Sequence, residues 1–391
     1  MPGGFAFTLT GRDGQARAGT LETPHGLVET PAFMPVGTRG AVRGVTQRAL
    51  EEAGAQIVLA NTYHLYLRPG DDLIAERGGL HRFVGWPGPM LTDSGGYQIF
   101  SLGPLVAITE DGARFQSHLD GSRHVLTPER VVDIQAQLGP DIAMVLDECL
   151  AAPASEPASA ASLDLTLRWA RRSRDRFLQL RDGRIDGVTV STPGQAQFGI
   201  VQGGIYRHLR ERSAEAPQAI GFESYAIGGL SVGESVETMY EVVGYTTPWL
   251  PDDRPRYLMG TGMPDDLVEC VARGIDLFDC VLPTRNARNG QVFTPDGPVN
   301  LRNARFARDD RPIDEACPCE TCRRHSRAYL RHLFHNKEMN AGTLASVHNL
   351  VFYLDTLRRI RQAIGFGRFE QYRQDFHRRF SRTPLSTRCF P

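Results

Sequence analysis

Short apolar runs recur along this chain, each ending in a polar residue or glycine and each followed by a stretch of helical character. They are Pro31–Val36, Gln56–Asn61, Pro89–Asp93, Ile142–Asp147, Phe198–Gln202, Ser224–Gly228, Arg256–Gly260 and Ile275–Val281. Continuous apolar runs of this length suit strands covered on both faces. Strands alternating with helices predict an α/β fold, and eight such units predict a closed (β/α)8 TIM barrel. The intervening helices carry their own signals. Thr127 before Pro128 reads as an N-cap with proline in the first turn. Ser162–Leu180 is amphipathic, with Leu163, Leu167, Ala170, Phe177 and Leu178 among arginines and aspartates. Pro264-Asp265-Asp266 places acids where a helix dipole favours them.

Four stretches break this rhythm. Residues 5–30 alternate apolar and polar around glycines and predict a small N-terminal antiparallel sheet. Ser94–Thr127 predicts a second antiparallel excursion. Residues 150–161 read as a low-complexity loop, and 182–195 as irregular. The resulting organisation is a single catalytic domain, 1–391. It comprises N-terminal strands 5–30, a barrel core 31–300, a metal-binding subdomain 301–350 and a helical, basic segment 351–391.

The polar residues of the apolar runs are not scattered. Asn61, Asp93, Asp147, Gln202, Gly228, Gly229 and Asp279 all fall at strand C-terminal ends, which form the active-site mouth of such barrels. Asp279 is the oddest of them. A carboxylate inside an apolar strand costs stability unless something pairs with it. Leu282-Pro283 then stops the strand, and Thr284, Arg285, Arg288 and Asn289 follow in what reads as a polar, cationic loop. Taken alone, Asp279 could equally cap that turn.

Composition narrows the class. The 391 residues suffice for one large barrel with a small appendage, and no apolar run is long enough to span a membrane. The N-terminus lacks a basic region followed by an apolar core, so a cytoplasmic protein is expected. The net charge of −1 means that any polyanion must be met by a local patch. Nearly all the cations are arginine, Lys337 being the only lysine. Seven cysteines, three of them clustered, favour metal over disulfides in such a chain.

The cluster is Cys317-Pro-Cys319-Glu-Thr-Cys322. Its candidate fourth ligands are His325, His332, His335 and His348. His325 is crowded by the knuckle, whereas His348 begins an apolar run suited to packing a helix onto the site. Three thiolates and one imidazole make a closed tetrahedral set for a structural Zn²⁺, one per chain. Arginines surround it: Arg302, Arg305, Arg308 and Arg311 before, Arg323, Arg324, Arg327 and Arg331 after. Arg358, Arg359, Arg361, Arg368, Arg373, Arg378, Arg379 and Arg382 follow toward the C-terminus. Such runs are commonly solvated helix faces. Next to the mouth loop they also fit a phosphate-backbone footprint.

Several segments together resemble the tRNA-guanine transglycosylases. They are Asn61-Thr-Tyr-His-Leu-Tyr-Leu-Arg-Pro-Gly70, Thr92-Asp-Ser-Gly-Gly-Tyr-Gln98, His118-Leu-Asp-Gly-Ser-Arg-His124, Gly199-Ile-Val-Gln-Gly-Gly204, Ala226-Ile-Gly-Gly-Leu230, Phe278-Asp-Cys-Val-Leu-Pro-Thr-Arg285 and the Cys317/Cys319/Cys322/His348 set. The resemblance implies a zinc-containing barrel, active as a homodimer, that replaces guanine at the anticodon wobble position of tRNA in queuosine biosynthesis. It implies Asp279 as nucleophile and Asp93 as general acid/base. Asp147, Gln202, Gly229 and Leu230 would hold the base, Tyr97 and Met259 would sandwich it, and Thr284, Arg285 and Arg288 would contact the RNA. Cys149 and Val232 resemble the bacterial pattern, whose base is the 7-deazaguanine preQ1, with Glu234 facing its aminomethyl cation through Leu230. Ser231 stands where the family more often has alanine.

The chemistry is consistent with these roles. Exchanging a base at C1′ with retention needs two inversions, as in retaining glycosidases. Carboxylates suit guanine's N1–H and amine, and Gln202 with a glycine N–H suits O6. A retaining glycoside hydrolase would explain Asp93 and Asp279 but not the metal and arginine region. A metal-dependent amidohydrolase wants a His-x-His where Val36-Gly-Thr-Arg stands. A catalytically silent RNA-binding subunit would not need both aspartates.

Overall fold

The computed structural model describes residues 4–101, 106–184 and 187–380. Arg382 and Cys389 lie outside them. The chain opens with an antiparallel sheet of β1 (Ala6–Asp13), β2 (Ala16–Thr23) and β3 (Gly26–Thr30). Barrel strands β4 (Ala32–Gly37), β5 (Val58–Ala60) and β6 (Met90–Thr92) follow. A three-stranded antiparallel excursion then intervenes: β7 (Val106–Thr109), β8 (Gly112–Gln116) and β9 (Arg123–Leu126). The barrel resumes with β10 (Ile142–Met144), β11 (Ala196–Val201), β12 (Ser224–Ile227), β13 (Arg256–Leu258) and β14 (Leu277–Cys280). All eight barrel strands pair in parallel, and β14 pairs with β4 to close the ring. Each of the eight apolar runs thus supplies one strand. No helix among the described residues is long and apolar enough to cross a membrane.

Local chemistry explains most helix starts. Thr127 caps Pro128–Leu138 by accepting from Arg130 N, and acids occupy the first turn of Pro264–Val271. The loop expected over 150–161 is shorter than that. The helix expected to begin at Ser162 runs over Glu156–Arg181, because Ser155 caps it through Ala158 N and Pro157 sits in its first turn. The alanine- and serine-rich composition that reads as low complexity is, after that cap, good helix material. The segment expected as a loop after β14 is likewise a short helix, Leu282–Arg288, since proline is tolerated in a first turn.

The N-terminal sheet closes the barrel floor, where the strands begin. Arg17 on β2 is 1% exposed and bonds Asp276 through Nε–Oδ1 (3.2 Å) and Nη2–Oδ2 (3.0 Å). His25, in the β2–β3 turn, meets Asp141 at 2.8 Å, and His81 meets the other oxygen at 2.9 Å. His25 N and Met90 N donate to the same carboxylate. Burial alone would raise the Asp141 pKa, but His81 and the other donors hold it below the ordinary value.

After the barrel, β15 (Gln291–Thr294) and β16 (Gly297–Asn300) form a hairpin. The helices Glu320–Arg324, Arg327–His335 and Met339–Gly365 follow. The long helix runs through residue 350 and serves two cores. Leu350, Tyr353, Leu357 and Ile360 pack on the barrel, while Ala341, Ala345 and Val351 join the cluster around Cys319 and Cys322.

Candidate active site and metal centre

At the strand C-terminal ends a cavity of about 380 Å³ opens. Asp93, Tyr97, Asp147, Gly229, Leu230, Met259 and Asp279 all line it. Gln202 reaches the same place from behind, bonding Asp147 Oδ2 through Nε2 at 2.6 Å. These residues come from strands far apart in sequence, brought together by the ring.

Asp279 Oδ1 accepts from Tyr257 Oη (2.6 Å) and Gly260 N (2.8 Å). Both bonds fall on one oxygen, so Oδ2 is left for a ligand. Burial raises the Asp279 pKa, partly offset by those two donors. Tyr257 is 1% exposed, and burial next to Asp279 keeps its phenol protonated and therefore a donor. Across the cavity Asp93 accepts from Thr62 N at 3.0 Å and from Asn61 Nδ2. Its pKa is pushed up to about 7, chiefly by burial, with the charge of Asp279 adding to the effect. Two carboxyl groups sharing one cavity disfavour each other's ionisation. Asp147 is pushed up to about 6, again by burial, with Gln202 and Ser94 as its neutral donors.

The base-sized slot depends on close backbone approach. Gly229 has φ +65°, and a Cβ there would collide with Gln202 Oε1. Arg210, fully buried, holds this wall from behind. It donates to the carbonyls of Val201 (2.9 Å), Gly228 (2.8 Å) and Gly204 (2.8 Å). Burial lowers its pKa to about 10, with Tyr245 and Glu234 opposing it. Glu234 accepts from Ser231 N and from Val232 N (3.1 Å). The Ser231 hydroxyl meets Thr261 Oγ1 at 2.8 Å.

Beyond the rim, Arg285 is exposed and Arg288 half-buried on the helix Leu282–Arg288. Thr284 is turned inward, 6% exposed, with its hydroxyl on Val281 O at 3.4 Å. The sulfurs of Cys317, Cys319 and Cys322 and a ring nitrogen of His348 lie within 4.8 Å of one another. His348 turns Nδ1 toward Cys322 Sγ (3.2 Å) and Cys319 Sγ (3.7 Å), and its Nε2 bonds Phe293 O at 2.8 Å. A backbone carbonyl that fixes one ring nitrogen frees the other as a ligand, so this set fits a metal ion. His325, the nearest competitor in sequence, stacks on Tyr329 instead. The other group with ligand chemistry, His25, His81 and Asp141, already meets each carboxylate oxygen with an imidazole and a backbone N–H.

The metal centre is tied to the rim. Asn349, next to His348, donates to Pro283 O (2.9 Å) and Gln291 O (3.1 Å) and accepts from Phe293 N (3.0 Å). Tyr353 donates to Gly262 O at 2.6 Å, at the cavity edge. Sequence reading missed Tyr257, Thr62, Arg210 and Asn349. Tyr257 looks like one more apolar strand residue, whereas Thr62 follows the strand-end Asn61 and Asn349 lies beside a metal-ligand candidate.

Many of the expected RNA-facing arginines are neutralised locally. Arg358 and Arg359 share Asp355, Arg373 grips Glu269 at 2.6 Å, and Arg311 and Arg327 share Asp309. Arg378 pairs with Asp375 and Arg379 with Asp296. Arg302 and Arg305 lie over Phe334 and Phe306.

Comparison with known proteins gives a consistent family. A family profile described as Queuine tRNA-ribosyltransferase matches residues 13–382. A queuine tRNA-ribosyltransferase of Zymomonas mobilis subsp. mobilis is 50% identical over 376 residues, covering 96% of this chain and 95% of the relative. One from Solidesulfovibrio magneticus is 54% identical over 369 residues, covering 94% and 96%. One from Desulforamulus reducens is 53% identical over 367 residues, covering 94% and 96%.

Proposed function

The chain belongs to the queuine tRNA-ribosyltransferase family, and from that premise we propose that it exchanges guanine at the anticodon wobble position of tRNA for the 7-deazaguanine preQ1. The observation that carries the reading is the pair of cation-free carboxylates, Asp93 and Asp279, facing one base-sized cavity.

In this reading Asp279 Oδ2 attacks C1′ of the nucleotide. The C1′–N9 bond breaks, its electron pair leaves with guanine, and a C1′–O ester to Asp279 forms. Tyr257 and Gly260 hold Oδ1 so that Oδ2 faces the sugar. Asp93, with a pKa near 7, gives the departing base a proton and later takes one from the incoming base. Attack by that base on C1′ then releases Asp279. Asp147 accepts from N1–H and the amine of the base. Gln202 and the Gly229 N–H meet O6, and Tyr97 and Met259 flank the ring.

The preQ1 preference rests on one peptide. Ser231 N–H donates to Glu234, so the carbonyl of the same trans peptide, that of Leu230, points the opposite way. Leu230 lines the base cavity and Glu234 the adjoining one, so that carbonyl suits an aminomethyl cation on the base. Cys149 and Val232 fill space that a larger substituent would need.

We also assign one structural Zn²⁺ to Cys317, Cys319, Cys322 and His348. Bound by these four residues, the ion would hold the fold rather than serve as a Lewis acid in the reaction. Cytoplasmic location and a homodimer complete the proposal. Its test is incorporation of labelled guanine into tRNA, competed by preQ1 and by queuine. Competition by preQ1 and not by queuine is expected. Absence of incorporation, with sugar released from an oligosaccharide, would favour a glycoside hydrolase.

A further inference from the structure

Strand β12 ends at Ile227, whose carbonyl takes the last ladder bond, from Met259 N at 3.2 Å. The next two residues, Gly228 and Gly229, form a wall of the base cavity. Gly228 N still reaches back to Val201 O (3.0 Å), but the carbonyls of both glycines lie past the ladder. A glycine pair has little preference of its own for one peptide orientation. Here one side chain fixes it. Arg210, on the helix Arg207–Ile220, donates through Nη1 to Gly228 O (2.8 Å) and through Nη2 to Gly229 O (3.4 Å). Nη1 also reaches Val201 O (2.9 Å) at the end of β11, and Nε holds Gly204 O (2.8 Å).

Ser213, one turn further along the same helix, accepts from Gln202 N at 2.8 Å. One helix face thus ties down the ends of two paired strands, β11 and β12. Arg210 is fully buried, and taking a guanidinium out of water is costly. An apolar side chain would fill the same space without that cost, but it would hold no carbonyl. The Gly228–Gly229 peptide is trans, so its N–H points opposite to its carbonyl. With the Gly228 carbonyl drawn back to Arg210, the Gly229 N–H turns toward the cavity that Gly229 lines. That N–H meets no acceptor among the described residues. A cation on the carbonyl side also strengthens the N–H as a donor, because linked hydrogen bonds polarise one another.

We propose that Arg210 is a positioning residue for base recognition: it holds the Gly229 N–H toward the base and so sets the preference for a purine with an oxygen at C6. The inference rests on the base-exchange reading and deepens it by naming what fixes the donor to O6. Arg210 lies behind the wall and acts only through the peptide. A peptide turned the other way would aim the Gly228 carbonyl at O6, oxygen against oxygen, and would take from Nη1 its shortest bond. The buried charge therefore makes the wall one-sided, a donor to the cavity and an acceptor to the helix behind.

The test uses the full chain and tRNA, with unlabelled guanine and 6-thioguanine competing against incorporation of labelled guanine. 6-Thioguanine keeps the N1–H and the amine but offers sulfur, a weak acceptor, at C6. Arg210→Gln places its amide nitrogen near the position of Nε, so the bond to Gly204 is kept and the bond to Gly228 is lost. The preference for guanine over 6-thioguanine, as a ratio of inhibition constants, should fall by roughly threefold to tenfold, the worth of one neutral hydrogen bond. Arg210→Lys keeps a charged donor near Gly228 O, so its ratio should fall by only about twofold. A side chain that merely props up the fold would weaken both bases alike, so the parent ratio in Arg210→Gln would overturn the proposal whatever its stability. If Arg210→Gln did not fold, Arg210→Lys would decide by the same ratio, the parent value again overturning the proposal. If the chain exchanged no base at all, the base-exchange reading would fail. Arg210 would then stand or fall on the ratio of the two bases' dissociation constants, measured by calorimetry.

Discussion

At the barrel floor, Asp276 lies against Arg17 and receives Arg256 N, and Asp141 takes four donors from two imidazoles and two backbone amides. At the mouth, Asp147 is buried and Asp93 and Asp279 are half-buried along the cavity, and all three meet only neutral donors: amides, a phenol and hydroxyls. Arginines follow the same division. Those of the C-terminal helices are paired with Asp355, Glu269 and Asp375, whereas Arg285 and Arg288 at the rim face no carboxylate among the described residues. Charge is closed off where the fold is held and left open where a ligand binds. A paired buried charge loses its partner at great cost, and an unpaired one favours whatever brings the missing group.

The widest separation between the two ends should come from Asp279→Asn. A neutral amide cannot attack C1′, so base exchange should fall by on the order of 10³-fold or more. No RNA adduct should form on a denaturing gel, where the parent is expected to give one, while the circular dichroism spectrum stays unchanged. A trapped adduct in this variant would remove Asp279 as nucleophile. The mirror experiment is Asp276→Asn at the floor. Arg17 would lose its buried partner and keep only the exposed Asp252, at 3.5 Å, so stability should drop by about 3 kcal/mol in urea unfolding. Exchange per folded molecule should persist, and a selective loss of kcat would break the comparison.

Cys319→Ser tests how far the rim depends on the metal centre. Zinc content by atomic absorption should fall, and unfolding should shift to lower temperature, because metal binding and folding are linked. Full zinc occupancy would take Cys319 out of the ligand set. Next in size is the pH response of Asp93. Its carboxyl titrates near 7 in the folded chain against 3.8 ordinarily, so it binds its proton more tightly folded than unfolded. Stability from this group is therefore present at low pH and is lost as pH rises toward about 7. Exchange should follow a bell: the acid limb marks protonation of Asp279 and the alkaline limb, near 7, deprotonation of Asp93. Asp93→Asn should abolish the alkaline limb, and an unchanged profile would assign it elsewhere. The smallest effect belongs to Arg358→Ala. Its partner Asp355 already neutralises it at the surface, so stability should change by less than about 1 kcal/mol and KM for RNA should not move.

Periodicity alone carried much of this molecule. The eight apolar runs, the antiparallel excursions, the cap at Thr127 and the helix start at Pro264 were readable because each rests on neighbours in the chain. So was the drift of Asp93, Asp147 and Asp279 to strand ends, since a polar residue ending an apolar run marks a strand's limit. The cysteine knuckle was legible for the same reason, its three sulfurs being close in sequence. The ring decided the rest. Only the pairing of β11 with β12 sets the Gly228 carbonyl within reach of Arg210, and only the register of β13 and β14 gives Asp279 the phenol of Tyr257. Arg358, Arg359 and Arg378 meet acids three or four residues away, but Arg373 depends on Glu269, about a hundred residues away. Local pattern records which residues share an element. Which charges meet an opposite charge depends on how distant elements pack, and that choice separates the floor of this barrel from its mouth.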